Sequence, residues 1–103
     1  IIAFFSYLIL VYPDIRQQDL GDTTSKTVRI TPEGFVPNEI TISAGGRIQW
    51  QNADTKDHRI TGASFISQVL KPGHSYSYKF EETGVFEYSD EFNPGFTGRI
   101  IVE

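Results

Sequence analysis

Apolar and polar residues alternate with a period of two through most of the chain. Val28 and Ile30 alternate with Thr27 and Arg29, Ile40 and Ile42 with Thr41, and Ile48 and Trp50 with Gln49 and Gln51. Tyr76, Tyr78 and Phe80 follow, then Phe86 and Tyr88, then Ile100 and Val102. A strand sends successive side chains to opposite faces, so each run predicts a strand with one apolar face. Between the runs stand Pro32-Glu33-Gly34, Ala44-Gly45-Gly46, Lys71-Pro72-Gly73, Thr83-Gly84 and Asn93-Pro94-Gly95. Pro presets and Gly permits the backbone angles of tight turns, so each of these predicts a turn. No stretch beyond residue 27 carries helical periodicity, and strands at this spacing predict an antiparallel sandwich or barrel.

The first twelve residues, Ile1 to Tyr12, are a different kind of pattern: an apolar run without charge, stopped by Pro13-Asp14. As a helix the run would rise about 18 Å, short of the roughly 30 Å hydrocarbon core of a bilayer. It reads as the end of a membrane anchor or as a signal segment. Val11-Tyr12-Pro13-Asp14 offers no small residues for a cleavage site, which weighs against the signal. Tyr7 and Tyr12 suit a membrane interface and Pro13 stops a helix, which favours an anchor. Residues 14–26 are polar and aperiodic and predict a linker, leaving residues 27–103 as the folded domain.

At 103 residues the chain holds one core. Its net charge of −4, with no basic cluster along the sequence, argues against nucleic acid as a partner. The chain has no Cys and no Met, which excludes disulfides, thiolate zinc sites, iron–sulfur clusters and a catalytic thiol. No nucleophile elbow or phosphate loop is present. Glu81-Glu82 and Asp90-Glu91 are sequence neighbours, which a strand sends to opposite sides, so neither forms an acid–base pair. Nothing in the sequence supports an enzyme.

The order of features after Thr27 resembles the cupredoxin family, the blue-copper domains. Gly34-Phe35-Val36-Pro37 follows the first strand, and Glu39-Ile40-Thr41-Ile42 leads into Ala44-Gly45-Gly46. Trp50-Gln51-Asn52-Ala53-Asp54 precedes Asp57-His58, and Leu70-Lys71-Pro72-Gly73 precedes an aromatic strand. Thr83-Gly84-Val85-Phe86-Glu87-Tyr88 and Gly98-Arg99-Ile100-Ile101-Val102 complete the set. The resemblance implies an all-β, antiparallel Greek-key β-sandwich behind an N-terminal apolar, transmembrane helix.

A blue-copper site needs a thiolate and two imidazoles, usually with a weak axial thioether. The family places its first His after the Asn-x-Asp segment and the Cys, His and Met on the loop between the last two strands. His58 matches the first position. Counting back from Gly98, Asp90 falls where the Cys belongs, Asn93 where the second His belongs and Phe96 where the Met belongs. The resemblance therefore implies a scaffold that has lost three of four ligands. The dinuclear copper centre of cytochrome oxidase subunit II, another anchored cupredoxin, is excluded because it needs two Cys.

Two readings of His58 stay open. In one it pairs with the Asp90 carboxylate as a structural replacement for the metal. In the other His58 and Asp90, with Asn93 and Glu91 nearby, hold copper or zinc weakly. Phe92, Pro94, Gly95 and Phe96 are candidate partner contacts, or Phe96 fills the volume of the axial Met. The expected function is a membrane-anchored, extracytoplasmic accessory subunit of a membrane protein complex, with no cofactor. The alternative is a copper-binding or electron-transfer domain using a non-blue site at His58 and Asp90.

Overall fold

The computed structural model describes residues 24–103, so the apolar run, its helical reading and most of the linker lie outside the described residues. Eight strands follow in order: β1 (Ser25–Thr31), β2 (Gly34–Val36), β3 (Glu39–Ile42), β4 (Arg47–Asn52), β5 (Ile60–Gly62), β6 (Ser75–Lys79), β7 (Gly84–Asp90) and β8 (Asn93–Val102). They form two four-stranded sheets, β2-β1-β4-β6 and β3-β8-β7-β5, with no helix among the described residues.

Alternation decides which side of each sheet meets the other. Val28 and Ile30 of β1, Ile48 and Trp50 of β4, Ile40 and Ile42 of β3, Tyr88 of β7, and Ile100 and Val102 of β8 are buried in one core. Trp50 is fully buried at its centre, stacked on Phe65 and Tyr76 and edge-on to Tyr88. Such aromatic contacts add to the large apolar area that each ring removes from water.

The expected all-β sandwich of two sheets is present, and two of its strand pairs are parallel. β1 runs parallel to β4, and β3 parallel to β8. A period of two fixes the face of each residue but not the direction of its neighbour. The chain also passes from one sheet to the other between β2 and β3 and back before β4, so strands remote in sequence become parallel partners.

The expected loop between the last two strands is corrected. Only Glu91 and Phe92 separate β7 from β8, and Asn93-Pro94-Gly95 lies in β8 rather than in a turn. Asp90 makes the turn two residues early: its Oδ1 accepts the Phe92 amide at 2.9 Å, an Asx-type closure. The register then jumps from Ser89↔Thr97 to Asp90↔Asn93, which leaves Pro94, Gly95 and Phe96 as a bulge on β8.

Candidate functional site

His58 sits between β4 and β5, at the end of the sandwich that also carries the β7–β8 turn. Its backbone is pinned to Leu70 by two hydrogen bonds, of 3.0 and 2.7 Å. The preceding loop is held by Asn52, which is buried. Asn52 Nδ2 donates to the carbonyls of Lys56 at 2.8 Å and Leu70 at 2.7 Å, and its Oδ1 accepts the Asp54 amide at 2.9 Å. A buried amide with its bonds satisfied fixes the loop around it.

The imidazole is 1% exposed and engaged on both nitrogens. Nδ1 hydrogen-bonds Asp90 Oδ2, and Nε2 lies 2.8 Å from Asp54 Oδ2. Asp90, with no exposed surface, also accepts the amides of Phe92 and, at 3.3 Å, Arg59 through Oδ1. Asp54 Oδ1 accepts the Thr55 amide at 2.6 Å. The His58 hydrogen bond, then the Thr55 amide, hold the Asp54 carboxyl below its ordinary 3.8 against the opposing effect of burial. Each ring nitrogen thus meets one carboxylate, and the imidazole bridges Asp54 and Asp90. The unit is a carboxylate–imidazole–carboxylate clamp.

The structure thus brings His58 and Asp90 together and lays Phe96 against them. The Phe96 ring stacks on the imidazole with centroids 6.3 Å apart, and edges onto Phe35 at 6.4 Å. Asn93 heads β8 opposite Asp90. Phe92 is 46% exposed at the turn, Pro94 and Gly95 are exposed, and Phe96 is half-buried. Glu91 points outward to Arg59, at 3.7 Å, rather than to His58. Asp54 is the residue that sequence reasoning missed. Its signal was a carboxylate four positions before His58, next to an Asn able to fold the loop back. A groove of about 520 Å³ lies elsewhere, lined by Glu39, Thr61, Glu87 and Arg99, and includes none of the clamp.

Two facing four-stranded sheets around one aromatic core, with a buried histidine at the end where a late hairpin closes the sandwich, define a β-sandwich of the small copper-protein type. The model of the cupredoxin-like domain matches residues 2–102, and the chain belongs to that family. It is similar to amicyanin-alpha of Methylorubrum extorquens, 28% identical over 86 residues that cover 77% of this chain and 72% of the relative. It is also similar to the amicyanin of Paracoccus versutus, 25% identical over 76 residues, 67% of this chain and 58% of the relative. Among solved structures, a purple cupredoxin from Nitrosopumilus maritimus superposes with a TM-score of 0.72 at 24% identity, over 80% of this chain and 100% of its own. The copper-containing nitrite reductase of Thermus scotoductus superposes with a TM-score of 0.73 at 21% identity, over 80% of this chain and 23% of the enzyme's. At these identities the superpositions establish the fold.

Relatives of this kind carry copper, and the residues here do not fit a type 1 ion. The chain has no thiolate, and the equivalent position is a carboxylate whose two oxygens are both engaged. Both nitrogens of the imidazole face carboxylates, so neither presents a free lone pair. No group of three or more His, Cys, Asp or Glu among the described residues is placed to hold a metal ion.

Proposed function

We propose that this is a metal-free accessory domain, tethered on the extracytoplasmic side of a membrane by its apolar N-terminal run. In this reading it docks a membrane-protein partner with the end that carries His58, Phe92 and Phe96. The observation that carries the proposal is the clamp: His58 is committed on both nitrogens to Asp54 and Asp90. The exposed Phe92 ring beside Pro94 and Gly95 offers an apolar contact at that end, the usual mark of a docking surface. A tether would raise the effective concentration of the domain next to a partner in the same membrane. The domain performs no reaction of its own.

A second reading, a non-blue copper site at His58 and Asp90, draws support from the amicyanins among the relatives. Copper(II) titration of the full chain separates the two. The proposal expects no intense visible charge-transfer band and no binding that His58→Ala abolishes. Stoichiometric copper lost in that variant establishes the second reading instead. For the docking half, Phe92→Ser should reduce photo-crosslinking from the neighbouring turn to membrane proteins while leaving urea unfolding unchanged. Unchanged crosslinking overturns the docking end.

A further inference from the structure

The outward face of the sheet β2-β1-β4-β6 is free of acidic side chains, in a chain whose net charge is −4. Its outward positions are Ser25, Thr27, Arg29 and Thr31 on β1, the apolar Val36 on β2 opposite Arg29, Arg47, Gln49 and Gln51 on β4, and Ser75, Ser77 and Lys79 on β6. Arg29, Arg47 and Lys79 are all exposed. None of the three has an ion pair among the described residues, whereas Arg59, Lys71 and Arg99 are each paired with a carboxylate. Arg47 and Lys79 stand directly opposite each other in register. Like charges in that position repel, so the pair costs stability until an anion lies over it.

The placement of this face says which anion. The row Ser25–Arg47–Lys79 lies where β1 begins, the point at which the chain arrives from its apolar N-terminal run. The end of the sandwich at that point carries exposed Glu81, Glu82 and Glu103, with Lys26 reaching to the Thr41 carbonyl. An anionic bilayer would repel the acidic end and attract the basic face beside it. The twelve residues from Pro13 to Thr24 reach at most about 40 Å, enough for the domain to turn onto its side.

We propose that this face rests on the anionic lipid headgroups of the membrane, so that the domain lies on its basic sheet rather than standing on its acidic end. The hydroxyl and amide side chains between the cations hydrogen-bond phosphates, and the His58 end is then held sideways, toward a neighbour in the membrane. This rests on the tethered reading of the proposed function. Basic side chains near such a surface contribute about fivefold in partition each, or about 1 kcal/mol, so three give on the order of a hundredfold.

The test partitions the full chain between phosphatidylcholine vesicles and vesicles that also contain phosphatidylglycerol. The apolar run acts on both, so the ratio isolates the face. The expected ratio favours the anionic vesicles by at least about tenfold at low ionic strength and falls toward unity in high salt, as screening requires. The variant R29Q/R47Q/K79Q should abolish the preference, and K56Q/K71Q, on exposed cations outside the face, should keep it. A ratio near one for the unaltered chain overturns the proposal, as does a preference that survives the triple variant or vanishes equally in the control. Absence of binding to neutral vesicles sinks the tethered reading by itself, while the anionic arm still reads the face.

Discussion

Replacing His58 by Phe should be among the most destabilising single changes at this end of the molecule. The ring volume stays, so packing against Phe96 changes little, but two carboxylates lose the imidazole that bonds them both. Asp90 is fully buried and keeps only the amides of Phe92 and Arg59. Removing one member of a buried ion pair costs about 3–5 kcal/mol, because the other is left uncompensated in low dielectric. Asp90→Ala should cost a similar amount, since it strands Nδ1 of the imidazole and two amides. Asp54 lies at the rim, 9% exposed, where water can replace its bonds, so Asp54→Ala should cost clearly less. The pair His58→Phe with Asp90→Ala should cost less than the sum of the two by about 2 kcal/mol, because an apolar core tolerates losing both charges better than one. Urea unfolding of the full chain, followed by the fluorescence of its one tryptophan, reads these values. With a slope near 1 kcal/mol per molar urea, His58→Phe and Asp90→Ala each lower the midpoint by roughly 3–5 M, and Asp54→Ala by less. Single losses below about 1 kcal/mol, or an additive double variant, would refute the clamp, and an Asp54→Ala loss equal to that of Asp90→Ala would refute its asymmetry.

Two further outcomes follow from the core. Gly98 faces Tyr88 so closely that an added Cβ would lie 2.2 Å from Tyr88 Cζ, and that ring is fixed between Phe35 and Trp50. Gly98→Ala should therefore lower stability by about 1–3 kcal/mol in urea, and a neutral result would place the Tyr88 ring elsewhere. Burial pushes the Tyr88 phenol up to about 12, slightly offset by the Trp50 indole, yet neither Tyr88 Oη nor Trp50 Nε1 has a partner in hydrogen-bond geometry among the described residues. The folded value is raised, so the contribution of neutral Tyr88 is whole below the ordinary 10.0 and is lost as pH rises toward about 12. Tyr88→Phe should be near neutral at pH 7 and should flatten that alkaline loss; a loss of 2 kcal/mol or more at pH 7, about the worth of a charged or well-made buried bond, would reveal a missing partner for the hydroxyl.

Alternation made most of the sandwich legible. Ile48 and Trp50, Ile40 and Ile42, and Ile100 and Val102 all point inward as their period of two requires. What alternation cannot carry is the identity and direction of a neighbour, so the parallel pairs β1–β4 and β3–β8 were invisible. Gly34, Gly45, Gly73 and Gly84 do take the positive φ of turns, between 86° and 146°, but Gly95 does not. There the Asp90 side chain closed the hairpin first, a choice that depends on a buried carboxylate having an amide within reach. Asp54 escaped notice for a similar reason: in a polar stretch, burial of a carboxylate is set by the fold of Asn52 around it. The basic face was hidden because Arg29, Arg47 and Lys79 are far apart in sequence and meet only through strand register.

A type 1 copper ion ties together the segment after β4 and the hairpin of β7 and β8, because its ligands come from both. In this chain the same two segments are tied by protons. His58 bonds the loop through Asp54 and the hairpin through Asp90, and Asp90 also folds the turn that presents Phe92. One carboxylate thus links the two segments and shapes the turn that carries Phe92. These hydrogen bonds give that end of the sandwich a cross-link made of side chains. The shared carboxylate also sets the clamp and the Phe92 turn in series: a change at Asp90 that loosens the turn should move Phe92 as well, whereas a change at Asp54 should leave Phe92 in place.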